Sequence, residues 1–187
     1  MQNPRLAGRY AKSLIGLAIE RNELDSVYSD MMYLQSVLKQ SKDFGIILRS
    51  PVVTPDKKNA ILDVVTKDKV SEMTAGFNRL LILKGREGYL PEIITAYIDQ
   101  YKVLKDIFVV KLTTATPASE ELKQTIIDKV KETTGKQNIE LKTEVKEELI
   151  GGFVLQMGDT LVDASISYDL NSIKQQFLNN DFLYNIR

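Results

Sequence analysis

The chain has 187 residues, 43% hydrophobic and 27% charged, with 25 basic and 25 acidic side chains that cancel to no net charge. This is the composition of a folded globular chain, large enough for one large or two small domains. It holds no cysteine and no histidine, which excludes disulfide frameworks, thiol nucleophiles, the usual zinc sites and Ser-His or Cys-His catalysis.

Charge is divided unevenly along the chain. Residues 1–105 carry 16 Lys and Arg against 12 Asp and Glu, net +4, and residues 106–187 carry 9 against 13, net −4. No concentrated basic stripe with interleaved aromatics is visible, which argues against a nucleic-acid binder. No apolar run approaches the roughly 20 residues of a membrane span. The opening "MQNPRLAGRYAK" lacks the layout of a secretory signal, so no removed leader is expected.

The first hundred residues read as helices. Leu6, Tyr10, Leu14 and Leu17 form one stripe and Ala7, Ala11, Ile15 and Ala18 an adjacent one, predicting a helix over 5–20 with nearly half its circumference apolar. Leu24, Val27, Met31, Leu34 and Leu38 repeat at three and four, a seam for a second helix. Phe44, Ile47 and Leu48 suit a short third helix that Ser50-Pro51 ends. Thr54 is then read as an N-cap, with Pro55 at the first helical position and Asp56 near the positive end of the dipole.

Ser71 opens a fifth helix of about 72–86, carrying Met73, Phe77, Leu80, Leu81 and Lys84. "KGREGYLP" interrupts the pattern, and Leu90, Ile93, Ile94, Tyr97, Tyr101 and Leu104 make a sixth helix. Six helices with short links predict an all-α bundle over residues 1–105.

At about Asp106 the pattern changes. "FVVKLTTATP" reads as a strand, and Ser119 caps a helix with Leu122, Ile126, Ile127 and Val130 on its inner face and Gly135 at its end. "NIELKTEV" alternates as a half-exposed strand does. Asp169 or Asn171 is the expected start of a last helix through Ile173, Phe177 and Leu178. Residues 106–187 are thus expected to form a small α+β domain, making the whole chain α+β.

The stretch "ELIGGFVLQMGDTLVDASIS" contains the main glycine cluster of that second half. With Gly158-Asp159 as the centre of a type II′ turn, Leu155 falls opposite Val162 and Phe153 opposite Ala164 on one apolar face, and Gly151 opposite Ile166 beyond. A register shifted by one residue would destroy that face. A phosphate loop would need a lysine after its last glycine and a helix starting there, and neither is present. Gly151 and Gly152 are read as allowing a bend or close backbone approach, and Gly158 and Asp159 as structural turn residues.

Other candidate sites have plainer readings. Adjacent Glu147-Glu148 and Glu120-Glu121 diverge on a helix or strand and do not make an acid-base pair. Asp159 and Asp163 offer only two oxygen ligands where calcium takes six or more. The eight tyrosines mostly fall on apolar helix faces, where core packing is the default.

Four segments in order, "LAGRYAKSLIGLA", "LRSPVVTPDKKNAIL", "FNRLLILKGREGYLPEIITAY" and "ELIGGFVLQMGDTLVDASISYDLNSIKQQF", resemble the delta subunit of bacterial F-type ATP synthases. The mitochondrial counterpart of that family is the oligomycin-sensitivity-conferring protein. The resemblance spans nearly the whole chain. It implies a non-catalytic connector in the peripheral stalk, with no cofactor. The N-terminal domain, residues 1–105, would hold the N-terminal helix of an alpha subunit in a groove between the first and fifth helices. The C-terminal domain, residues 106–187, would join the end of the b subunits.

Carried onto this chain, the groove candidates are Tyr10, Ser13, Leu14 and Leu17 facing Phe77, Leu80, Leu81 and Lys84, each apolar one having bundle core as its other reading. Arg9 and Lys12 form a basic flank for acidic partner residues, and Arg86 stabilises the following turn. The expected place is the cytoplasmic face of a bacterial plasma membrane, held through partners. The tail "NNDFLYNIR" extends beyond the resemblance. Two alternatives are a helix-in-groove adaptor outside ATP synthase and a small enzyme using Asp, Glu, Lys or Tyr.

Overall fold

The computed structural model describes residues 4–67 and 69–178. Its architecture is α+β, with eight α-helices and one four-stranded sheet among the described residues. The chain divides into two compact units, one ending at Lys105 and the other beginning at Asp106. The tail that extends beyond the resemblance, residues 179–187, lies outside the described residues.

The first unit is helical: α1 (Pro4–Glu20), α2 (Leu24–Gln40), α3 (Lys42–Arg49), α4 (Pro55–Thr66), α5 (Glu72–Leu83) and α6 (Leu90–Leu104). α1 and α2 both pack on α6, and α4 packs on α5. The small side chains of Ala7, Ala11 and Ala18 on the buried face of α1 permit a close approach to α6. There Gln100 Nε2 donates to the Gly8 carbonyl at 3.0 Å. α6 contributes Leu90, Ile93, Ile94, Tyr97, Ile98 and Tyr101, and α2 adds Val27, Met31 and Leu34.

Buried polar groups fix the helix ends. Asp30 of α2 accepts from the Ser71 amide (2.9 Å), Ser71 Oγ (2.6 Å) and Thr74 Oγ1 (2.7 Å), while Ser71 Oγ accepts from the Thr74 amide. This satisfies donors at the start of α5, where the helix dipole also favours a carboxylate. Lys58 of α4 is buried, its Nζ donating to the Leu48 carbonyl at 2.9 Å and to Glu87 Oε1 at 2.7 Å. That pair ties α4 to the 3-10 turn Glu87–Tyr89 ahead of α6.

The second unit places β1 (Ile107–Thr114), β2 (Asn138–Val145), β3 (Gly152–Met157) and β4 (Thr160–Ser165) in the order β2-β1-β3-β4. β1 and β2 are parallel, so the chain must cross over between them, and α7 (Glu120–Thr134) makes the crossing. Ser119 Oγ accepts from the Leu122 amide at its start, and Gly135, with φ 68°, ends it in the left-handed region. Ile126 and Val130 of α7 cover Val110, Leu112 and Leu155 of the sheet. α8 (Ile166–Leu178) follows β4.

Some local expectations need correction. The last helix begins at Ile166 rather than at Asp169 or Asn171, because Ser165 Oγ already accepts from the Tyr168 amide. Thr54 has the extended backbone of an N-cap but its side chain makes no capping bond. α5 ends at Leu83, three residues short of its expected end, and Leu122 of α7 is exposed instead of facing the sheet.

Candidate partner-binding surface

Two of the groove candidates meet directly. The rings of Tyr10 on α1 and Phe77 on α5 lie edge to face, with centroids 6.4 Å apart and an interplanar angle of 68°. The two helices are not otherwise a closely packed pair, since α1 rests on α6 and α5 on α4. Tyr10 is half-buried, and Ser13 and Lys84 are exposed. Ser13 Oγ is used locally, donating to the Arg9 carbonyl at 3.0 Å.

Burial separates the apolar candidates. Leu14 and Leu81 are 2% and 1% exposed, whereas Leu17 and Leu80 are 40% and 44% exposed. Leu14 and Leu81 therefore take the core reading in this structure, and Phe77 is nearly as buried. Leu80 lines an open depression of about 630 Å³ with Gly76 and Leu83 of α5 and Pro55 and Asn59 of α4. It thus also borders α4. Leu83, 79% exposed, was missed by periodicity because it lies outside the apolar stripe of α5.

Charge adds a second feature. Arg5, Arg9 and Lys12 line one open depression of about 660 Å³ with Gly8 and Gln100. None of the three cations has an ion-pair partner among the described residues. Arg86 is exposed just beyond α5, where its amide donates to the Leu81 carbonyl at 2.8 Å.

In the second unit the glycine stretch is a hairpin. β3 and β4 pair Leu155 with Val162, Phe153 with Ala164 and Met157 with Thr160, the register expected from the apolar face. Ile166 N donates to the Gly151 carbonyl at 3.1 Å, one step beyond the ladder. Gly158 has φ 57° while Asp159 is not in the positive region, the φ signs of a type II′ turn. Gly152, with φ 73°, leaves no room for a side chain, since a Cβ would fall 2.1 Å from the Ala164 carbonyl oxygen. A Cβ on Gly151 would meet Ile166 Cδ1 at 2.6 Å.

Among the described residues no group of three or more Asp or Glu side chains could hold a metal, and no helix is long and apolar enough to cross a membrane. What the first unit offers is exposed leucines and a half-buried tyrosine beside unpaired cations.

The sequence model of the family described as ATP synthase delta (OSCP) subunit matches residues 6–177. The chain belongs to that family, a structural and non-catalytic subunit class. It is 37% identical over 177 residues to the ATP synthase subunit delta of Cytophaga hutchinsonii, covering 95% of this chain and 96% of that one. With the ATP synthase subunit delta of Christiangramia forsetii it shares 34% over 186 residues, covering 100% of both. The chloroplastic ATP synthase delta chain of Chlamydomonas reinhardtii is 32% identical over 89% of this chain and 77% of its own length. Among solved structures, a chain of the Toxoplasma gondii mitochondrial ATP synthase hexamer superposes with a TM-score of 0.69 at 22% identity, covering 92% of this chain and 97% of that one. That likeness concerns the fold.

Proposed function

We propose that this chain is a stator subunit of a rotary ATP synthase, linking the N-terminal helix of an alpha subunit, through the first unit, to the b subunits, through the second. In this reading α1 to α6 act as one six-helix bundle over residues 1–105, and the α+β unit over 106–187 is the stalk end. It works at the cytoplasmic face of a bacterial plasma membrane and is held there by its partners. Membership of the delta family supports the stator role.

The observation that carries the alpha-subunit contact is the loose junction of α1 and α5, spanned by Tyr10 and Phe77 and bordered by exposed Leu17, Ser13 and Lys84. The unpaired Arg9 and Lys12, with Arg5, suit acidic positions on the partner helix. Leu80 takes part from the α4 side of the same helix, while Leu14 and Leu81 support the surface from beneath.

Burying about four large side chains of a partner helix gains roughly 6–12 kcal/mol. Association costs about 4–15 kcal/mol, so one groove alone is marginal. Two contacts on separate stalk components raise avidity without either being strong. The decisive experiment is calorimetric titration with a peptide of the alpha-subunit N-terminus of the same organism, about 25 residues or roughly seven helical turns long. One-to-one binding that is lost in a folded Tyr10→Asp variant is expected. Absence of binding by well-folded wild type rejects the groove.

A further inference from the structure

α5 carries a polar side chain that its surroundings do not satisfy. Asn78 is 3% exposed, and its Nδ2 and Oδ1 are both enclosed with no hydrogen-bond partner. Among the described residues it is the one side chain whose donor and acceptor are both left so. Asn78 lies one helical turn beyond Thr74, on the face of α5 that meets Asp30 of α2. Thr74 donates its hydroxyl to Asp30, and nothing equivalent reaches the amide of Asn78. An enclosed amide without partners opposes folding of the helix that carries it, whereas an apolar side chain of similar size would not.

A second, independent feature weakens the same stretch. Gly76 lies in the interior of α5 and is exposed, and a Cβ placed there meets nothing within 4 Å. Packing therefore does not require glycine at this position, and in a helix interior only proline is less favourable. Beyond Asn78, Leu80 and Leu83 remain exposed, so Leu81 and Ile82 are the residues that hold the last turns to the core.

The two ends of α5 are fixed. Asp30 accepts from Ser71 and Thr74 at its start, and the 3-10 turn that follows its end is tied to α4 by Lys58, which donates to Glu87. Between these anchors stands Phe77, flanked by Gly76 and Asn78, and its ring is the contact to Tyr10 of α1. α1 and α5 are not a closely packed pair, so that ring closes their junction.

We propose that α5 is a conformational device: its stretch from Gly76 to Leu83 opens locally between two fixed ends while the rest of the first unit stays folded, and Asn78 keeps that opening easy. In the open form the Asn78 amide reaches water and Phe77 leaves Tyr10, which uncovers the junction of α1 and α5. Openings of this kind occur in contiguous segments at a free energy below that of global unfolding. The opening is a property of the free chain. Its use, admitting the helix seated at that junction, rests on the function proposed above.

The test is native-state hydrogen exchange of the full chain, followed residue by residue by NMR. The amides of Leu80 to Leu83 should be protected at least about tenfold less than those of Ile94 and Ile98 in α6. Their exchange should also be insensitive to low denaturant, because a local opening exposes little surface. Asn78→Leu and Gly76→Ala should each slow exchange of these amides about fivefold or more and raise the melting temperature. Gly16→Ala in α1, where a Cβ likewise meets nothing within 4 Å, is the control and should leave exchange in α5 unchanged. Stopped-flow mixing with the alpha-subunit peptide should show slower association for Asn78→Leu and Gly76→Ala than for wild type.

Protection of Leu80 to Leu83 equal to that of α6 overturns the proposal. So does a Gly76→Ala variant that slows exchange evenly across the first unit. Loss of stability in Asn78→Leu overturns the role given to Asn78, since the amide is then paired in the folded chain. Peptide association as fast in both variants as in wild type overturns the use of the opening at the junction. Failure of wild type to bind the peptide, with exchange in α5 still local, rejects the function proposed above and leaves the opening itself standing.

Discussion

Tyr10 of α1 and Phe77 of α5 meet edge to face with their centroids 6.4 Å apart, although their helices are not a closely packed pair. The aromatic contact therefore bridges a junction that backbone packing leaves open. Around it, leucines one helical turn apart have opposite environments, Leu14 enclosed and Leu17 exposed.

That difference predicts a separation of stability from binding. Leu14→Ala should cost about 2–5 kcal/mol in denaturant unfolding, as an enclosed leucine does. Leu17→Asp should cost about 1 kcal/mol or less, yet lower affinity for the alpha-subunit peptide by about tenfold or more. Equal effects of both on stability would show that Leu17 is core.

Asp30 accepts three hydrogen bonds from Ser71 and Thr74 while nearly enclosed. Asp30→Ala leaves those donors unpaired at the start of α5. The expected loss is on the order of 2–3 kcal/mol, measured by denaturant unfolding, with amide exchange accelerated first in Ser71 to Thr74. A uniform change in exchange across the unit would contradict this local role.

Tyr101 links two ends of the first unit, stacking on Tyr28 at 3.9 Å and donating to Asp25 Oδ1 at 2.7 Å. Burial first, and then the bond to Asp25, pushes its pKa from 10.0 up to about 12. Because folding favours the protonated phenol, this contribution is complete below pH 10 and is lost as pH rises through about 12. Tyr101→Phe keeps the ring and should lessen the fall in stability across that window. Unfolding curves taken at stepped alkaline pH measure it, and identical slopes for both proteins would exclude the effect.

Lys105, followed by Tyr101, holds Asp25 below its ordinary value of 3.8. Its contribution is present above that value and is lost as pH falls through the lower folded value. Asp25→Asn should therefore remove part of the acid sensitivity, read as a shallower decline of melting temperature below pH 4 relative to wild type.

The glycines of the hairpin should separate by environment. Gly152→Ala forces a Cβ to within 2.1 Å of the Ala164 carbonyl at φ 73°, and is expected to destabilise by about 2 kcal/mol or more. Gly158→Asn meets open space at φ 57° and should cost under about 1 kcal/mol. Thermal melts of the two variants check the order.

Much of this was legible in the sequence because local patterns have local causes. Ser71 and Ser119 mark helix starts through hydroxyls that accept from amides three residues on, as found. The hairpin register follows from alternation about Gly158-Asp159, because slipping one residue would turn Leu155 and Val162 away from their face. The start of α8 was obscured because "DASIS" continues the strand pattern up to Ser165, whose capping bond to Tyr168 is not visible in periodicity.

By itself the sequence determined the family, the order of the elements, the change of pattern at Asp106 and the pairing of the hairpin, since propensity, period and turn chemistry act within a few residues. Only the tertiary structure decided which apolar residues remain outside. Leu14 and Leu17 share a helix, and Ile126 and Ile173 carry the same side chain, but burial depends on neighbours distant in the chain. The positive φ of Ile150 and the close approach of Gly151 to Ile166 and of Gly152 to β4 likewise have no counterpart in one-dimensional spacing.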